Sequence, residues 1–68
     1  MRVQAPYEIE STYNKRRFIV PVGSDVNIRV VRRPSGEVEI WVETINHGTF
    51  VASVFDNMDE ARKAGWNI

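Results

Sequence analysis

The stretch Val26-Asn27-Ile28-Arg29-Val30-Val31-Arg32-Arg33-Pro34-Ser35-Gly36-Glu37-Val38-Glu39-Ile40-Trp41-Val42-Glu43 decides the fold. On either side of Pro34-Ser35-Gly36 an apolar residue recurs at every second position, the signature of a strand with one buried face. Proline presets φ for the first position of a turn, and glycine accepts the positive φ that closes a hairpin. The segment therefore reads as two antiparallel strands, over residues 26–33 and 37–45. One face carries Val26, Ile28 and Val30 beside Val38, Ile40 and Val42. The other carries Asn27, Arg29, Val31 and Arg33 beside Glu37, Glu39, Trp41 and Glu43.

Downstream, Asn46-His47-Gly48 reads as a second turn and residues 49–55 as a further strand. That strand is apolar on both faces (Phe50, Ala52 and Val54 against Val51 and Phe55), which points to a central or doubly covered position. The period then changes. Asp56 is a good N-cap, with Asp59 three residues on as a weaker capping box. Asp59 and Glu60 early and Arg62 and Lys63 late follow the helix dipole, and Gly65 supplies the C-cap. A helix of about nine residues is too short to stand alone, so it docks through Ala61 and Ala64, with Trp66 and Ile68 clamping its end.

Upstream, Tyr7-Glu8-Ile9-Glu10-Ser11-Thr12 alternates like a half-buried strand and Tyr13-Asn14-Lys15-Arg16 reads as a turn. Residues 17–22 form a short β-rich run that Pro21, lacking an N–H, makes an edge strand or an irregular crossing. Residues 1–68 thus predict one α+β domain: a three- to four-stranded antiparallel meander with one short C-terminal helix packed on it.

Composition narrows the function. The chain has 68 residues, nine Lys plus Arg against nine Asp plus Glu, one His and no Cys. Without cysteine there is no disulfide and no thiolate metal cage, and one histidine does not build a zinc site. A net charge of zero supplies no global field for nucleic acid or anionic lipid. No apolar run approaches the roughly 20 residues of a membrane span, and the first residues lack a signal peptide's apolar stretch. The expectation is a small cytoplasmic protein that is not an enzyme and holds no cofactor or metal. Nucleophilic catalysis needs a base beside the nucleophile, and His47, alone in a turn, reads as a surface residue.

The acidic strand face invites more. Glu37, Glu39 and Glu43 repeat at a spacing of roughly 7 Å for neighbours two apart. Arg29 and Arg33 lie where they can pair with them across the hairpin. A solvated ladder of ion pairs is the plainer reading, and a protein-binding face the sharper one. Trp41 among the glutamates favours the sharper one, because an exposed tryptophan is enriched in interfaces; alternatively Tyr7, Phe18 or Trp66 folds over it. The basic clusters Lys15-Arg16-Arg17 and Arg29/Arg32/Arg33 raise a DNA-binding alternative. The segment from Arg33-Pro34-Ser35-Gly36 through Phe55 and Glu60-Ala61 loosely resembles AP2-type and integrase arm-binding domains. In those domains the sheet face meets DNA, whereas here Glu37, Glu39 and Glu43 on that face repel phosphate.

From Asn27 to the helix the chain also resembles a small phage-encoded type I-F anti-CRISPR family. The shared elements are Asn27-Ile28-x-Val30, Gly36, Val42-Glu43, Gly48, Val51-Ala52 and Phe55-Asp56, over a little more than half the chain. The resemblance implies a non-enzymatic inhibitor whose sheet face docks on a basic subunit of the RNA-guided surveillance complex. The family's acidic contact position falls on Glu43. Its aromatic position falls on Val31, so that half of the motif is absent, with Trp41 nearby. The expected contact face is Glu37, Glu39, Trp41 and Glu43 with Arg29 and Arg33 at its margin, against a protein partner with a basic surface. Direct contact with nucleic acid is the alternative, and a homodimer through the edge at residues 17–22 is a third option.

Overall fold

The computed structural model describes residues 1–12 and 15–68. Six strands and one helix follow in chain order: β1 (Arg2–Gln4), β2 (Ile9–Ser11), β3 (Phe18–Val20), β4 (Asp25–Arg32), β5 (Val38–Thr44), β6 (Gly48–Phe55) and α1 (Met58–Lys63). β4, β5 and β6 form an antiparallel meander, β1 adds to the free side of β4, and β2 pairs with β3 in a separate ribbon. The α+β architecture is the expected one. Its fourth sheet strand, however, is β1, three residues with no periodic pattern of their own. The runs expected as sheet strands at 7–12 and 17–22 instead make the ribbon. The turn expected at Tyr13-Asn14 lies outside the described residues.

The hairpin forms for the reasons its sequence gives. Arg33 N–H donates to the Glu37 carbonyl at 2.8 Å and Gly36 N–H to the Arg33 carbonyl at 3.0 Å. Pro34-Ser35-Gly36 is thus a three-residue loop, closed by Gly36 at φ +97, a conformation that side chains resist. Across the hairpin Asn27 pairs with Glu43, Arg29 with Trp41 and Val31 with Glu39, so period two places all six on one face.

β6 departs from the expected pattern. Val42 pairs with Phe50 and Trp41 with Val51, but Ile40 pairs with Ser53, so the register shifts at Ala52. This extra residue is a β-bulge, and beyond it the alternation reverses phase. Phe50, Ser53 and Phe55 share the face of Val38, Ile40 and Val42, while Val51 and Val54 stand on the other. β6 is also an edge of its sheet, not a central strand. Its apolar look on both faces comes from the bulge and from two exposed valines.

The helix is shorter than expected and starts one residue later. Asn57, not Asp56, is the N-cap; its Oδ1 accepts from the Glu60 N–H at 2.9 Å. With Asn57 as the cap, Glu60 rather than Asp59 takes the third helical position, the one a capping box favours for glutamate. At the other end Trp66 N–H reaches the Ala61 carbonyl at 3.2 Å and Gly65 N–H the Arg62 carbonyl at 3.0 Å. These two bonds form a Schellman motif with Gly65 at φ +108. Two good caps hold six residues that propensity alone would leave frayed.

The core lies between the inner sheet face and a cover made of the ribbon, α1 and Trp66. Ala5, Ile9, Val20, Val26, Ile28, Val38, Ile40, Val42, Phe50, Ala61 and Trp66 are buried in one cluster. Trp66 is only 1% exposed and is the largest fully buried side chain. Its indole N–H donates to the Tyr7 hydroxyl at 3.3 Å, and that hydroxyl is hydrogen-bonded to Ser53 Oγ. The register shift at Ala52 makes this link, because unbroken alternation from Phe50 through Ala52 would turn Ser53 outward. Among the described residues every buried side-chain polar atom has a partner, as a small core requires.

Candidate protein-binding face

The outer sheet face is the inner face's counterpart and has no cover among the described residues. Val31, Val51 and Val54 on it are 36%, 42% and 45% exposed. Trp41 sits half-buried between Arg29 of β4 and Val51 of β6. Tyr7, Phe18 and Trp66, the side chains available to fold over Trp41, instead pack into the inner core. Trp41 thus keeps an outward aspect by exclusion.

The six residues expected at this face come together. Glu39 accepts from the Trp41 indole N–H at 2.8 Å through Oε1 and from the Arg33 Nε–H at 2.5 Å through Oε2. Arg33 also reaches Glu37 at 3.4 Å, and Ser35 Oγ donates to the same Glu37 oxygen at 3.1 Å. Glu37 itself lies in the loop just before β5 rather than in the strand. Lower on the face Glu43 accepts from Asn27 Nδ2 at 2.9 Å and stands 3.9 Å from Arg29. The result is one polar network, Glu37–Arg33–Glu39–Trp41, and a second pair, Arg29–Glu43, framing the valines.

These contacts set the electrostatics. The Trp41 indole N–H, and next the Arg33 guanidinium, hold the Glu39 carboxyl below the ordinary carboxylate range. Reciprocally, the bond to Glu39 and its charge raise the already high pKa of Arg33. Both shifts follow from hydrogen bonding to the charged form. Each carboxylate of the face is therefore partnered, and the acidic face that the sequence suggested is internally compensated. What it presents outward is a fixed indole edge and three valines inside a ring of neutralised charge. The indole cannot swing freely while Glu39 holds its N–H, so the aromatic surface is pre-organised.

Other chemistry-bearing residues lie apart. His47 stacks on Phe18 with ring centroids 4.1 Å apart, in the β5–β6 turn. The pair walls a cleft of about 400 Å³ between β3 and that turn, whose lining mixes apolar Val20, Pro21 and Val26 with polar Arg2, Asp25 and Glu43. The backbone N–H of His47 donates to Thr44 Oγ1 at 3.1 Å, which ties the histidine into its turn. Among the described residues no three His, Asp or Glu side chains converge on one point. Arg17 of the ribbon pairs with Glu10 at 3.0 Å, on the far side of the molecule from Trp41. Alternation along β6 sets Val51 opposite Phe50, as observed, but it also sets Val54 beside Phe50; only the bulge moves Val54 to the outer face. No helix is long and apolar enough to cross a membrane. Comparison with protein-family models, curated proteins and solved structures gives no match.

Proposed function

We propose that this chain is a non-enzymatic protein-binding module that docks through the outer face of its four-stranded sheet. The observation that carries this reading is the uncovered face itself: three exposed valines around a tryptophan whose indole N–H is held by Glu39. An aromatic anchor within apolar surface and a polar rim is the anatomy of an interface centre. The charges at the rim serve orientation and partner choice more than affinity. An inhibitor of a nucleic-acid-handling complex, of the kind the anti-CRISPR resemblance implies, is one role such a module fills. Glu43 and the Trp41–Val31 neighbourhood would be its contact points with a basic subunit.

A sheet-face DNA binder is the weaker reading. Arg33 is engaged by two glutamates and Arg29 lies beside Glu43, so phosphate would have to displace carboxylates already in place. The test compares proteins captured from the native host by the wild-type chain with those captured by Trp41→Ala and Val51→Asp, with far-UV circular dichroism as the check on folding. A specific partner should be retained by the wild type and lose about 2 kcal/mol or more of affinity with Trp41→Ala. Capture indifferent to both substitutions, or salt-sensitive retention of random duplex DNA, overturns the reading.

A further inference from the structure

The β4–β5 ladder stops short at one end. Its last pair there is Asn27 with Glu43, yet β4 runs on to Asp25 beside β1. β5 runs on to Thr44, which pairs with Gly48 of β6. Past Asn27–Glu43 each strand thus follows its other neighbour, and the two part. β3 forms the opposite wall of the gap, and the result is the cleft of about 400 Å³. That volume is within the range of small-ligand sites. Its aromatic wall is held in place, because Thr44 Oγ1 ties the turn at both the His47 N–H and the Gly48 carbonyl. The imidazole stacks on Phe18, and Phe18 in turn meets Phe50 of the core edge to face.

Two properties of the lining select an occupant. Val20, Pro21 and Val26 join the Phe18–His47 stack, and a wholly exposed Ile45 stands at the lip. Such a surface takes an apolar group, and the aromatic wall favours a ring. The charges are the second property. Glu43 is already held by Asn27 and faces Arg29. Arg2 and Asp25 also line the cleft, and neither makes an ion pair or a side-chain hydrogen bond among the described residues. Arg2 stands opposite Asn27, with Asp25 two residues along on the same face, a diagonal of about 7–8 Å. Met1 bonds to Ile28, on the side of Arg2 away from the cleft. The cleft therefore offers one unengaged cation and one unengaged anion beside an apolar floor. A ligand of single charge would meet a like charge there, whereas one carrying both signs matches both. We infer that this cleft binds a zwitterionic α-amino acid with an aromatic side chain. Its carboxylate accepts from the Arg2 guanidinium, its ammonium donates to the Asp25 carboxylate, and its ring packs against the Phe18–His47 wall. The site lies at the end of the sheet, away from Trp41, and does not depend on the reading given for the outer face.

The test titrates phenylalanine into the isotope-labelled full chain and follows the amide shifts. Saturable shifts should centre on Val26, Ile45 and His47, with a Kd on the order of 1 mM. N-acetylphenylalanine lacks the ammonium and phenylalanine amide lacks the carboxylate, so each should bind roughly fivefold more weakly. Alanine, with both charges and no ring, should not bind. The variants then cross with the ligands. Asp25→Asn should weaken phenylalanine and its amide but leave N-acetylphenylalanine unchanged, and Arg2→Gln should do the converse. Trp41→Ala should leave all three affinities as they are, which separates this site from the outer face. Three outcomes overturn the inference: no saturable shift at about 10 mM phenylalanine, equal binding of the three phenylalanine ligands, or shifts centred on Trp41 and the outer valines.

Discussion

The two tryptophans sit on opposite faces of one sheet and each donates its indole N–H, yet they do opposite things. Trp66 donates to a tyrosine hydroxyl inside the core, where Tyr7, Ser53 and the ring seal the cover onto the sheet. Trp41 donates to a surface carboxylate, where Glu39 fixes the ring without hiding it. The inner face spends its aromatic residue on cohesion and the outer face keeps its own presentable. A 68-residue chain has too little apolar surface to seal both faces, so one of them is left open. The difference teaches that burial of an aromatic residue here depends on which face the cover reaches, not on hydrophobicity.

The hardest test of that contrast is truncation. Trp66→Ala removes the largest fully buried side chain, and losses of about 3–5 kcal/mol are usual for such a change. That is most of the stability of a domain this small, so urea titration should find the variant largely unfolded while Trp41→Ala remains cooperative. A wild-type-like midpoint for Trp66→Ala would break the assignment of cohesion to the inner face.

Next comes the joint between helix and cover. A Cβ on Gly65 would lie 2.5 Å from the Pro6 Cβ, at a φ of +108 that side chains resist. Gly65→Ala should cost about 2 kcal/mol, read as a lowered denaturation midpoint. A smaller effect follows from Tyr7→Phe, which leaves the Trp66 N–H and Ser53 Oγ without their shared partner. The expected loss is about 1–2 kcal/mol, and adding Ser53→Ala should recover part of it, because it removes one of the two stranded groups.

The smallest effect belongs to the outer face. The folded Glu39 carboxyl titrates below its ordinary value of 4.5, so the folded state binds this proton less readily than the unfolded chain. Its contribution to stability is thus present above pH 4.5 and is lost as pH falls through the lower folded value. Glu39→Gln should flatten the acid limb of a stability–pH curve by that one group, lowering the neutral plateau by the same small amount and leaving the low-pH end nearly unchanged. An unaltered acid limb would mean that the Trp41–Glu39–Arg33 network does not persist in solution.

Much of this was legible in the residues. The β4–β5 hairpin follows from strict alternation around Pro34-Ser35-Gly36, and the six outer-face residues follow from that alternation alone. What escaped the reading shares a physical reason: it depends on contacts distant in sequence. Three residues, Arg2 to Gln4, are too few to show a period, and β1 exists because β4 offers it an edge. The phase of β6 is set by a bulge at Ala52 that no local pattern announces. The helix start moved by one residue because Asp56 and Asn57 are both competent caps, and local pattern does not choose between adjacent caps. Whether Trp41 is covered depended on where Tyr7, Phe18 and Trp66 went, which only the assembled core decides.

The bulge at Ala52 has one more consequence, for behaviour in concentrated solution. β6 reads Gly48-Thr49-Phe50-Val51-Ala52-Ser53-Val54-Phe55, eight residues at a sheet edge with no charge and no proline. Such a segment is a ready seed for cross-β aggregation. The extra residue bends and twists the strand, so that a neighbouring chain cannot extend its ladder in register. Deleting Ala52 would keep Val51 and Val54 outward and Ser53 and Phe55 inward, since it restores simple alternation. The deletion should then speed fibre growth, read by thioflavin fluorescence on a variant whose circular dichroism matches the parent chain.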